Sequence, residues 1–508
     1  MQSESDCYYL PARAIDTLAG GAFGRLTPLL TLTEGATQFT VLDYFDESLR
    51  RAGRLLLETG PILELLMADG HVLSQAAKRS GQFVADLQEG QVKHALADLS
   101  PLRSLLPIGS GNLRKGTLAL LDDDQKTHCR ANLYMLSDTG GAGVILITLH
   151  GLRGYDKSLA ALRAQIRDCD GTALSSGGLY ANLFPKHVAY NAKPKVIIES
   201  DATTYQAASD IISTYLSVAR ANEGGIRADC DSEFLHDYRI AMRKIRSVLS
   251  LFKGVYEQDQ TIDLKARFVD LMAPTGRLRD LDVYLQEKQR FYDLLPQTLY
   301  SGLDTMFGMF SEERNREKTK LTDHLHSIKY ADEISSLAKL FAKRKKLRSG
   351  PTAALKVDGY ACNLIWKRYR KICKIGGAIA PEMPDVEVHA LRIHCKKLRY
   401  LMEFFSPLFA KPEFKDLLRP LKHLQDNLGL FNDYSIQQIS LQDFLRQAND
   451  WANDTKLHVA QSVGALTAVL HLRQIEERAK IVDSFALFNS LQTQSTFREL
   501  FHDGRPKS

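Results

Sequence analysis

The sequence predicts an α+β domain with a largely antiparallel sheet, followed by an all-helical domain made of two equivalent halves. Short apolar or alternating runs separated by turn residues fill the chain to about residue 150, as in strands with one face buried. From about Thr203 the apolar period becomes that of amphipathic helices and remains so. Within the helical part the sequence matches itself at a shift of 153 residues, the mark of a duplicated unit.

In chain order, the strand-length runs are FTVLDYF, RLLLET, ILELLM, GTLALLD, CRANLYML and VILITLHG. TEGAT, ADGH and DTGGAG divide them with the Gly and Asp residues that turns favour. Helices are expected at Gln91–Leu99 and Tyr155–Arg167, which makes residues 1–170 an α+β domain. Residues 171–200 mix Gly, Ser, Pro and Lys without a sustained period and read as a linker. Residues 201–508 read as helices broken near Gly224–Gly225, Pro274, Pro296, Ser349–Pro351, Gly376–Pro384 and Pro412, because Gly weakens a helix and Pro interrupts it. The duplicated segments span about 203–290 and 356–440, and the stretch from about Asn453 reads as a helical extension beyond them.

At 508 residues the chain has room for roughly two to four domains. Hydrophobic residues make up 44% and charged residues 25%, ordinary values for a globular protein. No apolar run approaches the roughly 18 residues of a membrane span. The start, MQSESDCYYL, has neither the basic end nor the apolar run of a signal peptide, so a cytoplasmic location without membrane insertion is expected. Seven cysteines with no CxxC pair suit reduced thiols and argue against a zinc site. Residues 1–200 hold 20 Lys and Arg against 21 Asp and Glu, and the rest of the chain 46 against 39. The excess positive charge therefore lies in the helical part, which points to an anionic partner there.

The repeat shows where that charge concentrates. HDYRIAMRKIRSVLSLF begins at His236 and HALRIHCKKLRYLMEFF at His389. The shift pairs His236 with His389, Arg239 with Arg392, Arg243 with Lys396, Lys244 with Lys397, Arg246 with Arg399 and Phe252 with Phe405. It then lays GRLRDLDV, from Gly276, on GLFNDYSI, from Gly429, without a gap. At about 100° per residue, Tyr238, Ala241, Met242, Ile245, Val248, Leu249 and Phe252 share one face of the first helix, while His236, Arg239, Arg243 and Arg246 share another. In the second copy Leu391, Cys395, Leu398, Leu401, Met402 and Phe405 turn inward, and His389, Arg392, Lys396 and Arg399 form the basic row.

Like charges along three turns repel, and only Glu403, four residues after Arg399, sits where a helix neighbour relieves them. A bound polyanion would complete such rows. Arginine forks grip phosphate oxygens in pairs, lysine adds point charge, and histidine becomes protonated beside dense negative charge. The plain alternative is a solvated basic face, which a single row suits better than a duplicated one. KRKKLR and WKRYRKICK read mostly as exposed helix. Arg368, in line with Ala361, Ile365 and Ile372, points inward and needs a partner, either ligand or a carboxylate such as Asp433. Asp280, Asp282, Asp426 and Asp433 fit Asp–Arg pairs that orient the basic helices better than a metal site, and Lys422 could reach either these carboxylates or ligand.

These helices, with GRLRDLDV and LQDNLGLFND across residues 200–440, resemble the CHAD domain (conserved histidine α-helical domain). The resemblance implies an all-α domain of two pseudo-symmetric four-helix bundles that binds inorganic polyphosphate on a basic surface, at polyphosphate granules. It carries over His236, Arg239, Arg243, Arg246, His389, Arg392, Lys396 and Arg399 as polyphosphate contacts. Lys244, Lys397, Arg368 and Lys422 complete the candidate set. DYFDESLRRAGRLLLETG, FVADLQEG, LRSLLPIG and RKGTLALLDDDQKTHCRANLYML resemble a CYTH domain, which implies a tunnel-like sheet. That family opens on an ExExK strand whose glutamates hold a divalent metal, and this chain has ESDCYYLPA in its place. VILITLHG carries His150 where a carboxylate is expected, and ILELLMADG ends without a lysine. Arg54, Arg114, Lys115, Lys126 and Arg130 remain as cations for phosphates without the carboxylates that hold a metal. The expectation is a non-catalytic polyphosphate-binding protein with a degenerate CYTH-like domain, no metal and no cofactor. The competing classes are a metal-dependent triphosphatase and a general polyanion or nucleic-acid binder. The rows lack the interleaved aromatics that stack single-stranded bases.

Overall fold

A computed structural model describes residues 6–503 apart from 139, 142, 176–177, 200, 381–383, 410–411 and 448–451. The chain divides into two compact units, Met1–Ala192 and Lys193–Ser508. No helix among the described residues is long and apolar enough to cross a membrane.

The first unit is built on one antiparallel sheet. Its strands are β1 (Cys7–Pro11), β2 (Thr27–Leu32), β3 (Thr37–Asp43), β4 (Arg54–Thr59), β5 (Ile62–Met67), β6 (Val72–Ala76), β7 (Leu106–Leu121), β8 (Thr127–Asp138), β9 (Gly143–Gly151) and β10 (Thr172–Ala173). They run in the order β10-β1-β9-β8-β7-β3-β4-β5-β6, and β2 also pairs with β7. Helices α1 (Ala14–Ala19), α2 (Ser48–Arg51), α3 (Gln91–Ala95), α4 (Asp156–Asp168) and α5 (Leu179–Leu183) complete it.

The alternation of the strands sorts their side chains into separate cores. Leu118, Leu120, Ile145 and Ile147 pack with Leu162 and Ile166 of α4. The opposite face places Leu55, Leu57, Leu113 and Leu146 around Leu179, Tyr180 and Leu183 of α5. Residues 171–200, expected as a linker, therefore begin inside the first unit. β10 pairs with β1, and Leu174, Leu179, Tyr180 and Leu183 are buried. The Gly and Ser residues around them masked this short apolar pattern.

The second unit is all-helical among its described residues. Its helices are α6 (Thr204–Ala228), α7 (Ser232–Leu251), α8 (Gln258–Met272), α9 (Gly276–Gln286), α10 (Lys288–Asp293), α11 (Tyr300–His326), α12 (Ile328–Lys343), α13 (Val357–Gly376), α14 (Asp385–Phe405), α15 (Pro412–Arg446), α16 (Asn453–Ala479), α17 (Ile481–Phe488) and α18 (Leu491–Arg498). The break expected at Gly224–Gly225 does not occur, because α6 runs through it. Gly225 instead lets the ring of Phe234 pack against the helix, where a Cβ would collide with it.

At the shift of 153, α6 and α13 begin at corresponding residues, as do α7 and α14, α11 and α16, and α12 and α17. α11 and α16 also end at corresponding residues. α8 and α9 are separate around Pro274, whereas their counterpart α15 runs through Asn427 as one helix, since asparagine keeps the backbone donor that proline lacks. The expected C-terminal extension thus begins on the counterparts of α11 and α12. Met306 and Phe310 of α11 correspond to Val459 and Val463 of α16, a likeness of burial rather than of residue type.

Corresponding residues also meet each other. Thr204 N donates to Leu355 O at 2.9 Å and Val357 N to Ala202 O at 3.0 Å, so the two halves exchange equivalent bonds. Phe252 stacks on Phe405 with ring centroids 5.0 Å apart. α11 and α16 share a core in which Leu303, Met306, Phe307 and Phe310 pack with Val459, Val463, Leu466 and Leu470.

Candidate anion-binding surface

α7 starts where the Asp231 carboxylate caps it, accepting from Glu233 N at 2.9 Å and Phe234 N at 3.3 Å, which satisfies donors that a helix start leaves open. All seven residues expected on its apolar face are buried, as are the six on α14. This burial fixes the roll of both helices. Arg239, Arg243 and Arg246 of α7, and Arg392 and Lys396 of α14, consequently lie half-buried at the margin of the core.

The rows approach each other. Burial lowers the proton affinity of Arg392, and Arg243 on the other row adds to this while Asp433 opposes it. Burial, then Arg392 and Arg243, push Lys396 down to about 8, with Arg399 adding and Asp433 opposing. Arg239 is lowered by burial and then by Arg243, against the pull of Asp280. Arg243 therefore stands among Arg239 on its own helix and Arg392 and Lys396 on the other.

Compensation within the chain is sparse. Arg392 meets Asp433 at 3.6 Å, and Arg399 meets Glu403 at 2.7 Å and Gln425 at 3.3 Å. His389 Nδ1 bonds Asn432 Oδ1 at 2.8 Å. Arg239 donates to Thr275 at 2.6 Å, and Arg246 meets the Met272 sulfur at 3.4 Å. Among the described residues, Arg239, Arg243, Arg246 and Lys396 have no carboxylate within ion-pair distance. The Nε atoms of Arg243 and Arg392 are buried without an acceptor, and an unmatched buried donor costs about 1–3 kcal/mol. His236 is half-buried on the first turns of α7.

Other candidates fall elsewhere. Lys244, expected to hold ligand, is 8% exposed. It donates to the Tyr215 hydroxyl at 2.9 Å and pairs with Glu403 at 3.2 Å, so it ties α7 to α14 from within. Arg368 meets His394 rather than Asp433, its Nη1 donating to His394 Nδ1 at 2.6 Å. Burial, then Arg368, Lys397 and Lys371, push His394 down to about 4. Lys397 is half-buried near Arg368 and Lys253, and Lys422 is exposed on α15. Asp282 pairs with Arg314 at 2.8 Å, and Asp426 is exposed. Among the described residues no group of three His, Cys, Asp or Glu side chains is placed to hold a metal ion. Sequence reasoning missed His394 as the partner of Arg368, and with it Lys371 beside His394 and Lys253 beside Lys397, although Lys371 lies in the basic run it noted.

The cations of the first unit do not converge. Arg54 forms a forked pair with Asp98 at 2.6 and 2.7 Å, and Arg114 donates to Thr33 O at 2.9 Å. Lys115 binds both oxygens of Glu64 at 2.7 Å. Lys126 lies 5.5 Å over the Tyr155 ring, and Arg130 is exposed. His150 Nε2 meets Asn132 Nδ2 at 3.0 Å, a neutral contact.

The CHAD domain family model matches residues 210–442, the stretch that contains both basic rows. Residues 210–442 are a CHAD domain. Among solved structures, the chain is similar to the CHAD domain from the plant Ricinus communis, at 21% identity over 55% of this chain and 95% of that one, with a TM-score of 0.45. It is also similar to PptA from Streptomyces chartreusis, at 14% identity over 58% of this chain and 99% of that one, with a TM-score of 0.42. No curated protein matches the chain.

Proposed function

We propose that the helical unit binds inorganic polyphosphate without cleaving it, along the two basic rows, and does so at polyphosphate granules. The supporting observation is the convergence of Arg243 with Arg392 and Lys396 where two guanidinium Nε donors are buried without an acceptor. A chain of phosphates offers repeated oxygens for these donors and cancels the repulsion among them. The exchanged Thr204–Leu355 and Val357–Ala202 bonds favour two four-helix bundles related by a pseudo-two-fold axis, which would make the surface continuous. The first unit is a degenerate CYTH-like domain on this reading, and the whole protein acts in the cytoplasm.

The test is a titration of the full chain with long-chain polyphosphate at several salt concentrations. Binding should weaken steeply with salt through screening and counterion release. Arg243→Glu with Arg392→Glu should abolish it while leaving the helical circular dichroism intact. Undiminished binding by that folded double variant would refute the reading, and stronger binding of DNA at matched phosphate would favour a general polyanion site.

A further inference from the structure

Lys244 and Lys397 correspond at the shift of 153, yet their surroundings differ in charge. Lys244 has the Tyr215 hydroxyl and Glu403. For Lys397, Tyr215 is replaced by Arg368, and the residue corresponding to Glu403 is Ser250. Two further substitutions run the same way, since Val218 corresponds to Lys371 and Ala241 to His394. The second half has exchanged a compensated lysine for a group of cations.

That group is held by the fold. Arg368 on α13 donates to His394 on α14 at 2.6 Å. His394 accepts at Nδ1, so its proton lies on Nε2, which stays available as a donor. Lys397 and Lys371 both lie near His394, and Lys253, just past α7, lies near Lys397. Among the described residues none of Arg368, Lys371, Lys397 and Lys253 has a carboxylate within ion-pair distance. On the helix, Lys397 lies about 140° round from Arg392, on a different flank of α14 from the basic row. A solvated lysine face does not bury an arginine against a neutral imidazole, because its guanidinium loses water with no countercharge in return.

We propose that Arg368, Lys371, Lys397, Lys253 and His394 form a second anion site that takes a single phosphate group on this flank of α14. The free N–H groups of Arg368 and the Nε2–H of His394 supply directed hydrogen bonds, and the three ammonium groups supply charge. The phosphate is either free or one unit of a chain whose length lies on the rows. The site does not depend on the rows binding polyphosphate.

The experiment starts from the full chain carrying Arg243→Gln and Lys396→Gln, which weakens the rows. Inorganic phosphate is titrated into it calorimetrically at constant ionic strength. A single phosphate should bind, and adding Arg368→Gln with Lys397→Gln should weaken it by about tenfold or more, the loss expected from two charge-assisted bonds. Removing the distant cations Arg290 and Arg473 by Gln substitution should leave it unchanged. Failure of phosphate to bind the starting variant, or equal binding with and without Arg368 and Lys397, overturns the site. If Arg368→Gln does not fold by circular dichroism, Lys371→Gln with Lys253→Gln takes its place with the same expected direction. A second arm measures long-chain polyphosphate on a chain altered only at Arg368 and Lys397. Weakened binding assigns the site to the chain, and unchanged binding beside lost phosphate binding assigns it to free phosphate. The polyphosphate affinity of the starting variant separately reports on the rows.

Discussion

Phe252 and Phe405 stack with ring centroids 5.0 Å apart and planes inclined by 13°, and each is the counterpart of the other at the shift of 153. Both are buried at the C-terminal ends of the helices that carry the basic rows. The pair locks those ends together, so separation of the rows depends on it. Truncating either ring should cost about 3–5 kcal/mol, as large-to-small changes in cores do. Aromatic pairs gain about 0.5–1.5 kcal/mol beyond area, so Phe252→Ala with Phe405→Ala should cost less than the sum of the single changes by about that amount. Urea unfolding of the four proteins in the cycle measures it, and strict additivity would show that the stacking itself contributes nothing.

Lys396 gives the surface a pH signature. Burial and the neighbouring arginines hold its pKa near 8 in the free protein, and bound phosphates would return it toward the ordinary lysine value of roughly 10.4. Below both values the ammonium is charged in both states and affinity does not depend on it. Between about 8 and 10 the bound state holds a proton that the free state has lost. Binding should then take up protons, and affinity should fall as pH rises through this window. Calorimetry in buffers of different ionisation heat detects the uptake at pH 9. Its absence there, or its persistence in Lys396→Met, would dissociate the lysine from the ligand.

The contrast between neighbours Arg243 and Lys244 separates ligand contacts from structural ones. Arg243 has a buried Nε without an acceptor, whereas Lys244 is satisfied by Tyr215 and Glu403. Arg243→Gln should weaken polyphosphate binding about tenfold, the loss of one charge-assisted contact. Lys244→Met, which keeps the apolar stem and leaves Glu403 with Arg399, should change it by less than about twofold and should lower stability instead. Equal effects on affinity would mean that the buried lysine is part of the anion surface.

What the sequence could and could not reveal follows from this pair. The inward faces of α7 and α14 were legible because thirteen apolar residues recur at helical spacing, and all are buried. Lys244 entered the candidate set for its charge and its place next to Arg243 in sequence, although a helical wheel sets it about 100° away from Arg243. Its burial depends on Tyr215 and Glu403, which arrive from other helices. The partner of Arg368 was hidden for the same reason, since His394 lies on α14 and Arg368 on α13. Periodicity left out β1, which only the CYTH resemblance marked, because CYYLP is five residues long with its first four buried and shows no alternation. In each case the missing information was tertiary.

The first unit should release no phosphate from tripolyphosphate or ATP with Mg²⁺ or Mn²⁺. Arg54 is committed to Asp98 and Lys115 to Glu64, and α5 packs against one face of the sheet within an apolar core. Metal-assisted hydrolysis needs converging carboxylates and cations in one site. A malachite green assay checks this, and metal-dependent release above background that purification to homogeneity fails to remove would restore the enzymatic reading.

Gly302 tests whether the last helices belong to the duplicated architecture. A Cβ on Gly302 of α11 would collide with Ser462 Oγ and the His458 carbonyl of α16, and Ser462 Oγ donates to Leu299 O at 2.7 Å. The two helices therefore touch through backbone, and the core formed by Leu303, Met306, Phe307 and Phe310 with Val459, Val463, Leu466 and Leu470 closes only at that distance. Gly302→Ala should push the helices apart at a cost of about 1–3 kcal/mol, as overpacking does, although alanine is the better helix former by about 1 kcal/mol. The neighbouring Gly308, which has nothing within 4 Å of its Cβ position, should instead gain stability on substitution by alanine. Thermal unfolding of the two variants compares them directly. Stabilisation by both would mean that α16 does not dock on α11, and the second half would then lack the helix that completes its core.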